Sequence, residues 1–158
     1  MLMGKILAQG AMWEGRNVSW LPAYGAEVRG GTAHCAVIIS DEEIGSPYIN
    51  KADTLIIMNQ PSLDKFKNRL ISGGLLIVNN SLVTLPKSVN ALAYPFTGMA
   101  LELGNIKVAN MVALGFFIKQ KKFLRLETVM DVIKDLAPKS RNDLIKINHE
   151  ALKRGASL

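Results

Sequence analysis

The sequence predicts an α/β fold: a three-layer sandwich whose sheet is mixed but mostly parallel, with helices on both faces. Three observations point there. Apolar runs of strand length occur at Val18–Leu21, Cys35–Ile39, Leu55–Met58 and Leu75–Val78, each bounded by turn residues. Segments with helical periodicity lie before, between and after them. The central runs are apolar at consecutive positions rather than alternate ones, as expected of strands covered on both faces.

Each element follows in turn. Met1–Trp13 places Leu2, Ile6 and Leu7 on one helical face, and Gly15 is placed to stop that helix. Asn17–Pro22 is a short strand. Tyr24–Gly31 is the loop after it, and Thr32–Ser40 is an apolar strand expected to be buried on both faces. Asp41-Glu42-Glu43 is a solvated acidic turn, and Ile44–Pro47 a connector. Thr54–Asn59 is a further buried strand. Pro61 stands in the first turn of a helix reaching about Ile71, which Ser72-Gly73-Gly74 ends. Leu75–Asn79 is the next strand, with the polar group Asn79-Asn80-Ser81 at its carboxyl end.

Val89–Tyr94 reads as a strand closed by Pro95, and Thr97 as the N-cap of a short helix through Leu103. Ile106–Lys119 is a helix apolar nearly all round, and so well buried. Leu126–Leu136 is amphipathic and stops at Ala137-Pro138. Arg141–Lys153 carries Leu144, Ile145, Asn148 and Leu152 as its inner stripe. The short loop between the first two strands allows an antiparallel pair, so the Rossmann-like sheet is expected to be mixed.

The 158 residues suit one domain over 1–158, and 49% hydrophobic with 20% charged residues is a globular composition. No apolar run is long enough to span a bilayer, and no signal peptide opens the chain, so a cytoplasmic protein without a membrane partner is expected. One cysteine, Cys35, excludes an internal disulfide and any Cys-ligated zinc or iron–sulfur site in this chain. The net charge of +6 is uneven: residues 1–60 are slightly acidic and 61–158 strongly basic. A solvated helix surface accounts for any single basic cluster. Lys119, Lys121 and Lys122, for example, suit a helix C-terminus. A nucleic-acid partner is disfavoured, because the aromatic residues, 6% of the chain, do not interleave with the basic clusters.

The loop carries the candidate site. Tyr24, Glu27 and Arg29 stand beside Gly25, Gly30 and Gly31. Arg29 offers a planar fork of donors that matches phosphate or carboxylate. The glycines permit positive φ and close backbone approach. The same residues also make an ordinary strand-to-strand turn with a surface ion pair, and their spacing alone leaves the two readings level. His34 reads as a satisfied or edge histidine, His149 as a surface or packing residue, and Cys35 as an inert core thiol. No catalytic set and no complete phosphate-binding glycine motif is visible. In open α/β sheets ligands sit outside the carboxyl ends of strands, a description that fits both this loop and Asn79-Asn80-Ser81.

Val18-Ser19-Trp20-Leu21-Pro22-Ala23-Tyr24-Gly25-Ala26-Glu27-Val28-Arg29-Gly30-Gly31-Thr32-Ala33 resembles the strand–loop–strand of the gamma subunit of 2-oxoacid:ferredoxin oxidoreductases. So do Ile39–Pro47, Met58–Ser62 and Val108–Gly115, in the same order over nearly the whole chain. The resemblance implies a part in oxidative decarboxylation of a 2-oxoacid to acyl-CoA and CO2, with reduction of ferredoxin. It implies that thiamine diphosphate, magnesium and the 4Fe-4S clusters belong to partner alpha, beta and ferredoxin-like delta subunits, with no catalytic residue, cofactor or metal held by this chain alone. It implies that the gamma domain packs on those subunits and helps form the coenzyme A side of the site. By that analogy Tyr24, Glu27, Arg29, Gly30 and Gly31 are the cofactor-facing residues. The wording of Thr32–Cys35 and Gly45–Pro47 is closer to 2-oxoglutarate or branched-chain enzymes than to pyruvate enzymes, and 2-oxoglutarate is the first expectation.

One departure stands out. The family begins with a strand and a Gly-x-Gly-Gly-Gln-Gly turn before the first helix, whereas Met1–Leu7 resembles that helix's interior. Loss of a central strand leaves backbone groups unpaired, so the chain is expected to be either a mis-started fragment or less stable than a longer form. The competing functional reading is an autonomous nucleotide- or acyl-CoA-binding α/β domain.

Overall fold

The computed structural model describes residues 1–23, 32–86, 88–138 and 141–158. Helix α1 (Leu2–Trp13) leads into β1 (Asn17–Ala23) and β2 (His34–Ser40), which pair antiparallel with Asn17 opposite Ser40 and Ala23 opposite His34. Then β3 (Ala52–Ile57), α2 (Gln60–Phe66), β4 (Leu70–Asn79) and β5 (Leu92–Tyr94) build a parallel sheet in the order β3-β4-β5. Four helices complete the described chain: α3 (Phe96–Glu102), α4 (Ala109–Lys121), α5 (Leu126–Leu136) and α6 (Asn142–Ala156). The fold is α/β, as expected. Among the described residues no helix is long and apolar enough to cross a membrane.

The alternation of side chains along β4 makes the layers. Ile77 faces the larger core with Ile6, Phe96, Met111, Phe116 and Val129, whereas Leu76 and Val78 face a second cluster with Leu63 and Phe66 of α2. Helix α2 therefore covers one face of the parallel sheet, and the larger core with its helices covers the other. Strand directions are mixed, but hydrogen bonding divides into two ladders rather than one continuous sheet. Side chains join them: Val18 and Ile39 from the antiparallel pair, with Ile56, Met58 and Leu75 from the parallel one, pack on the same core. Strand β2 is half-buried along its whole length rather than fully buried, because β1 alone hydrogen-bonds to it among the described strands.

Element boundaries differ where pairing outweighs local signals. Ser72-Gly73-Gly74 does not end a helix. Helix α2 stops at Phe66, a 3-10 turn spans Lys67–Arg69, and both glycines lie inside β4. There the register jumps from Ala52 opposite Leu70 to Thr54 opposite Leu75, and Gly73 takes φ 74°, so the glycines serve a bulge. Strand β5 is only three residues long, since only Leu92–Tyr94 pair with Ile77–Asn79. Helix α3 starts one residue before Thr97, and Ile106–Val108 forms a 3-10 turn ahead of α4.

Helix α4 is the hub. Every residue from Met111 to Ile118 is buried, consistent with its apolar character all round. It crosses α6 at backbone distance: a Cβ on Gly115 would overlap the Leu152 carbonyl, and one on Gly155 would overlap the Val112 carbonyl. Two glycines facing opposite carbonyls leave no room for any side chain at the crossing.

Helices α1 and α5 are tied at their ends. Glu14 Oε1 accepts from the Arg125 backbone N–H at 3.0 Å and from Arg125 Nε at 3.3 Å, and Gln9 Nε2 donates to Asp135 Oδ2 at 2.9 Å. Burial pushes the Glu14 carboxyl up. Hydrogen bonds from Thr128 and from the Arg125 backbone and side chain, with the Arg125 charge, outweigh it and hold the pKa below the usual value.

Gly115→Ala is expected to cost about 1–3 kcal/mol by overpacking, despite the better helix propensity of Ala. That lowers Tm by roughly 2–12 °C in a thermal melt. Gly10→Ala, where the new Cβ would meet Leu124 at 3.6 Å, is expected to be neutral or stabilising. An equal response of the two variants would contradict the contact. Because the folded pKa of Glu14 is depressed, its contribution is present above the unfolded carboxylate pKa and is lost as pH falls through the folded value. Glu14→Gln should therefore cost about 1–2 kcal/mol in urea melts at pH 7 and much less at pH 3.

Candidate functional site

The carboxyl end of the parallel sheet is organised by Asn79, the fully buried last residue of β4. Its Nδ2 donates to Thr97 Oγ1 at 2.8 Å and to the Met58 carbonyl at 3.2 Å, and its Oδ1 accepts from the Thr97 N–H at 3.2 Å. Around it, Ser81 Oγ accepts from the Gly98 N–H, Asn59 Oδ1 caps α2 through the Ser62 N–H, and Gln60 Oε1 accepts from the Thr84 N–H. These side chains are spent on orphan N–H groups at helix starts and on the turn after β4. Asn79, not Thr97, supplies the acceptor at the start of α3. The polar group that sequence position marked as a possible ligand crevice is a clasp between β3, β4 and α3.

The strand ends that bracket the loop lie at the opposite end of the sheet. Tyr24, Glu27, Arg29, Gly30 and Gly31 themselves fall outside the described residues. Their neighbours Ala23 and His34 face each other across β1 and β2. The His34 ring packs 4.6 Å from Phe66, the last residue of α2, at an interplanar angle of 51°. Phe66 leads through Lys67–Arg69 into the start of β4. Leu70 there pairs with Ala52 at the start of β3, and Lys51 Nζ donates to the Asn68 carbonyl at 2.7 Å. The Asn79 group caps the carboxyl end of the parallel strands, whereas His34, at the start of β2, packs against Phe66 on the turn that leads into their amino ends.

At this amino end charge collects around Phe66. Lys65 Nζ lies 5.7 Å and Arg69 Cζ 5.5 Å from its ring centroid, both within cation–π range. The ion pairs among the described residues are Arg16–Asp41, Arg125–Glu14, Arg141–Asp143 and Arg154–Glu102, and none engages Lys51, Lys65, Lys67 or Arg69. Sequence reasoning missed this cluster by treating the basic half as diffuse. Its signal was the run Lys65-Phe66-Lys67-Asn68-Arg69, an aromatic flanked by bases on a helix end.

The remaining candidates are structural. The Cys35 sulfur lies against α1, where a Cβ on Gly4 would overlap it. His149 Nε2 is 2.9 Å from the Met130 carbonyl and packs α6 on α5. Asp41 of the acidic turn pairs with Arg16 at 3.0 Å. At the start of α6, a hydrogen bond from Arg141 outweighs a small desolvation effect and lowers the pKa of solvent-exposed Asp143. Among the described residues no group of three or more His, Cys, Asp or Glu is placed to hold a metal. One cysteine cannot supply the four thiolates of an iron–sulfur cluster, so the residues of this chain do not fit that group.

Comparison with known proteins bears on these features. The family model described as pyruvate ferredoxin/flavodoxin oxidoreductase matches residues 1–158. The ketoisovalerate oxidoreductase subunit VorA of Methanothermobacter marburgensis is 38% identical over 157 residues, covering 98% of this chain and 33% of that protein. The chain thus spans about a third of that relative. The 2-oxoglutarate synthase subunit KorC of Methanocaldococcus jannaschii is 32% identical over 148 residues, covering 90% of this chain and 79% of that one. Among solved structures, the keto/oxoacid ferredoxin oxidoreductase gamma subunit from Geobacter sulfurreducens superposes with a TM-score of 0.82 at 28% identity, covering 99% of this chain and 88% of that one. On a match that runs from the first residue to the last, and on relatives similar over nine-tenths or more of its length, this chain belongs to the pyruvate ferredoxin/flavodoxin oxidoreductase family.

Proposed function

We propose that the chain is the gamma subunit of a cytoplasmic, multi-subunit 2-oxoacid:ferredoxin oxidoreductase, working as one domain over residues 1–158. The complex would oxidatively decarboxylate a 2-oxoacid in the presence of coenzyme A, releasing CO2, forming the acyl-CoA thioester and passing two electrons to ferredoxin. Thiamine diphosphate with magnesium and the 4Fe-4S clusters would sit in the alpha, beta and delta partners and supply the decarboxylation and electron transfer. This chain's part is assembly and the coenzyme A side of the site. The observation that carries the reading is the family match over residues 1–158. The substrate is a 2-oxoacid of the branched-chain or 2-oxoglutarate kind, since the relatives compared are named for ketoisovalerate and 2-oxoglutarate.

Within that reading the loop does the binding. The Arg29 guanidinium pairs with a phosphate of the coenzyme, a charge-assisted contact favoured by its fork of donors. Gly30 and Gly31 allow the backbone to approach, and Tyr24 and Glu27 orient the group beside them.

In the complex assembled with its partner subunits, Arg29→Ala is expected to raise the KM for coenzyme A roughly tenfold, the equivalent of one lost charge-assisted contact. Coenzyme A-independent release of CO2 from the 2-oxoacid should stay within about twofold. Equal loss of both activities would make Arg29 an assembly residue instead. Turnover of 2-oxoglutarate and ketoisovalerate by the same preparation identifies the substrate. A stable, ligand-binding monomer that captures no thiamine diphosphate subunit would favour an autonomous binding domain.

A further inference from the structure

We propose that Lys65 and Arg69, held over the Phe66 ring beside His34, form a subsite for the 3′-phosphate of coenzyme A. The inference rests on the coenzyme A reading above and extends it to residues outside the Tyr24–Gly31 loop. Three observations carry it. The two cations lie over one buried ring, at 5.7 and 5.5 Å from its centroid, so the aromatic restrains side chains that would otherwise sweep freely through solvent. Neither cation takes part in an ion pair among the described residues. Asp64, the adjacent carboxylate, instead accepts from Gln60 Nε2 at 3.1 Å. The cluster also adjoins the described strand residue His34, whose ring contacts Phe66 and which follows Gly31 by three residues in the sequence.

The ligand chemistry follows from exposure and charge. Lys65 and Arg69 are exposed, so they form a rim rather than a reaction chamber. The reactive thiol of coenzyme A must point inward to the partner that holds the acyl group. The nucleotide end is left at the rim, and its 3′-phosphate is a terminal, doubly charged monoester. An Arg fork and a Lys ammonium together balance two negative charges and donate to its oxygens. The binding step breaks and makes no covalent bond.

The test uses the assembled complex with coenzyme A and with dephospho-coenzyme A, which lacks only the 3′-phosphate. The wild-type complex is expected to show a KM roughly tenfold higher for dephospho-coenzyme A. The double variant Lys65→Ala/Arg69→Ala should raise the KM for coenzyme A by a similar factor and lose the discrimination. Its kcat and its KM for the 2-oxoacid should stay unchanged. The charge-retaining pair Lys65→Arg/Arg69→Lys should keep most of the preference, which separates lost charge from lost structure. Wild-type discrimination persisting in the alanine variant overturns the proposal. So does loss of subunit assembly on a sizing column, which would assign the cluster to an acidic face of a partner subunit. If Arg29→Ala raises the KM for coenzyme A while the Lys65/Arg69 variant does not, this subsite falls and the coenzyme A reading stands. If neither variant affects coenzyme A, both fall.

Discussion

The close crossing of α4 on α6 is the constraint on which the rest of the packing depends. Helix α4 is buried over every turn from Met111 to Ile118, and it can meet α6 at backbone distance only because Gly115 and Gly155 carry no Cβ. With α6 drawn in, Leu152 and Ala151 join Met111, Val112 and Phe116 in the main core. The aromatic set of Tyr94, Phe96 and Phe116 then couples this helical layer to β5 and the start of α3. The Tyr94–Phe116 and Phe96–Phe116 ring centroids are 4.6 and 5.8 Å apart. A bulkier residue at either glycine would push apart elements far along the chain, because a core packed to crystal density has little slack to absorb it.

The two ends of the parallel sheet differ in how their polar groups are paired. At the carboxyl end, one buried amide satisfies a helix-start N–H, a hydroxyl and a strand-end carbonyl. A buried polar residue is tolerable there because all its groups are paired. At the amino end the cations Lys65, Arg69 and Lys67 are exposed. The Asn79 group has its hydrogen-bonding capacity consumed by the fold, whereas no ion pair among the described residues engages Lys65, Lys67 or Arg69.

Much of this was legible from residues alone. Gly15 stops α1 with φ 81°, Pro61 stands in the first turn of α2, and the unbroken apolar character of Met111–Ile118 marks a helix buried all round. These signals are local, set by a Cβ, a ring or a cap within one turn of where they act. The misreadings share the opposite property. Ser72-Gly73-Gly74 has the composition of a helix stop, yet pairing with β3 draws it into a bulged strand. Thr97 looks like a cap, yet the acceptor comes from Asn79, 18 residues earlier. The cluster on Phe66 needs His34, on another strand, before it becomes a place rather than a run of basic residues.

The α/β class, most of the elements and their order, and the family are legible along the chain, because hydrophobic period, turn chemistry and motif order are written in neighbouring residues. Which strands share hydrogen bonds, which glycines are contacts rather than turns, and which strand ends lie together emerge in the folded chain alone. Those outcomes depend on pairing and packing between residues tens of positions apart. The free energy of such contacts depends on the geometry in which both partners meet, and no local pattern records it.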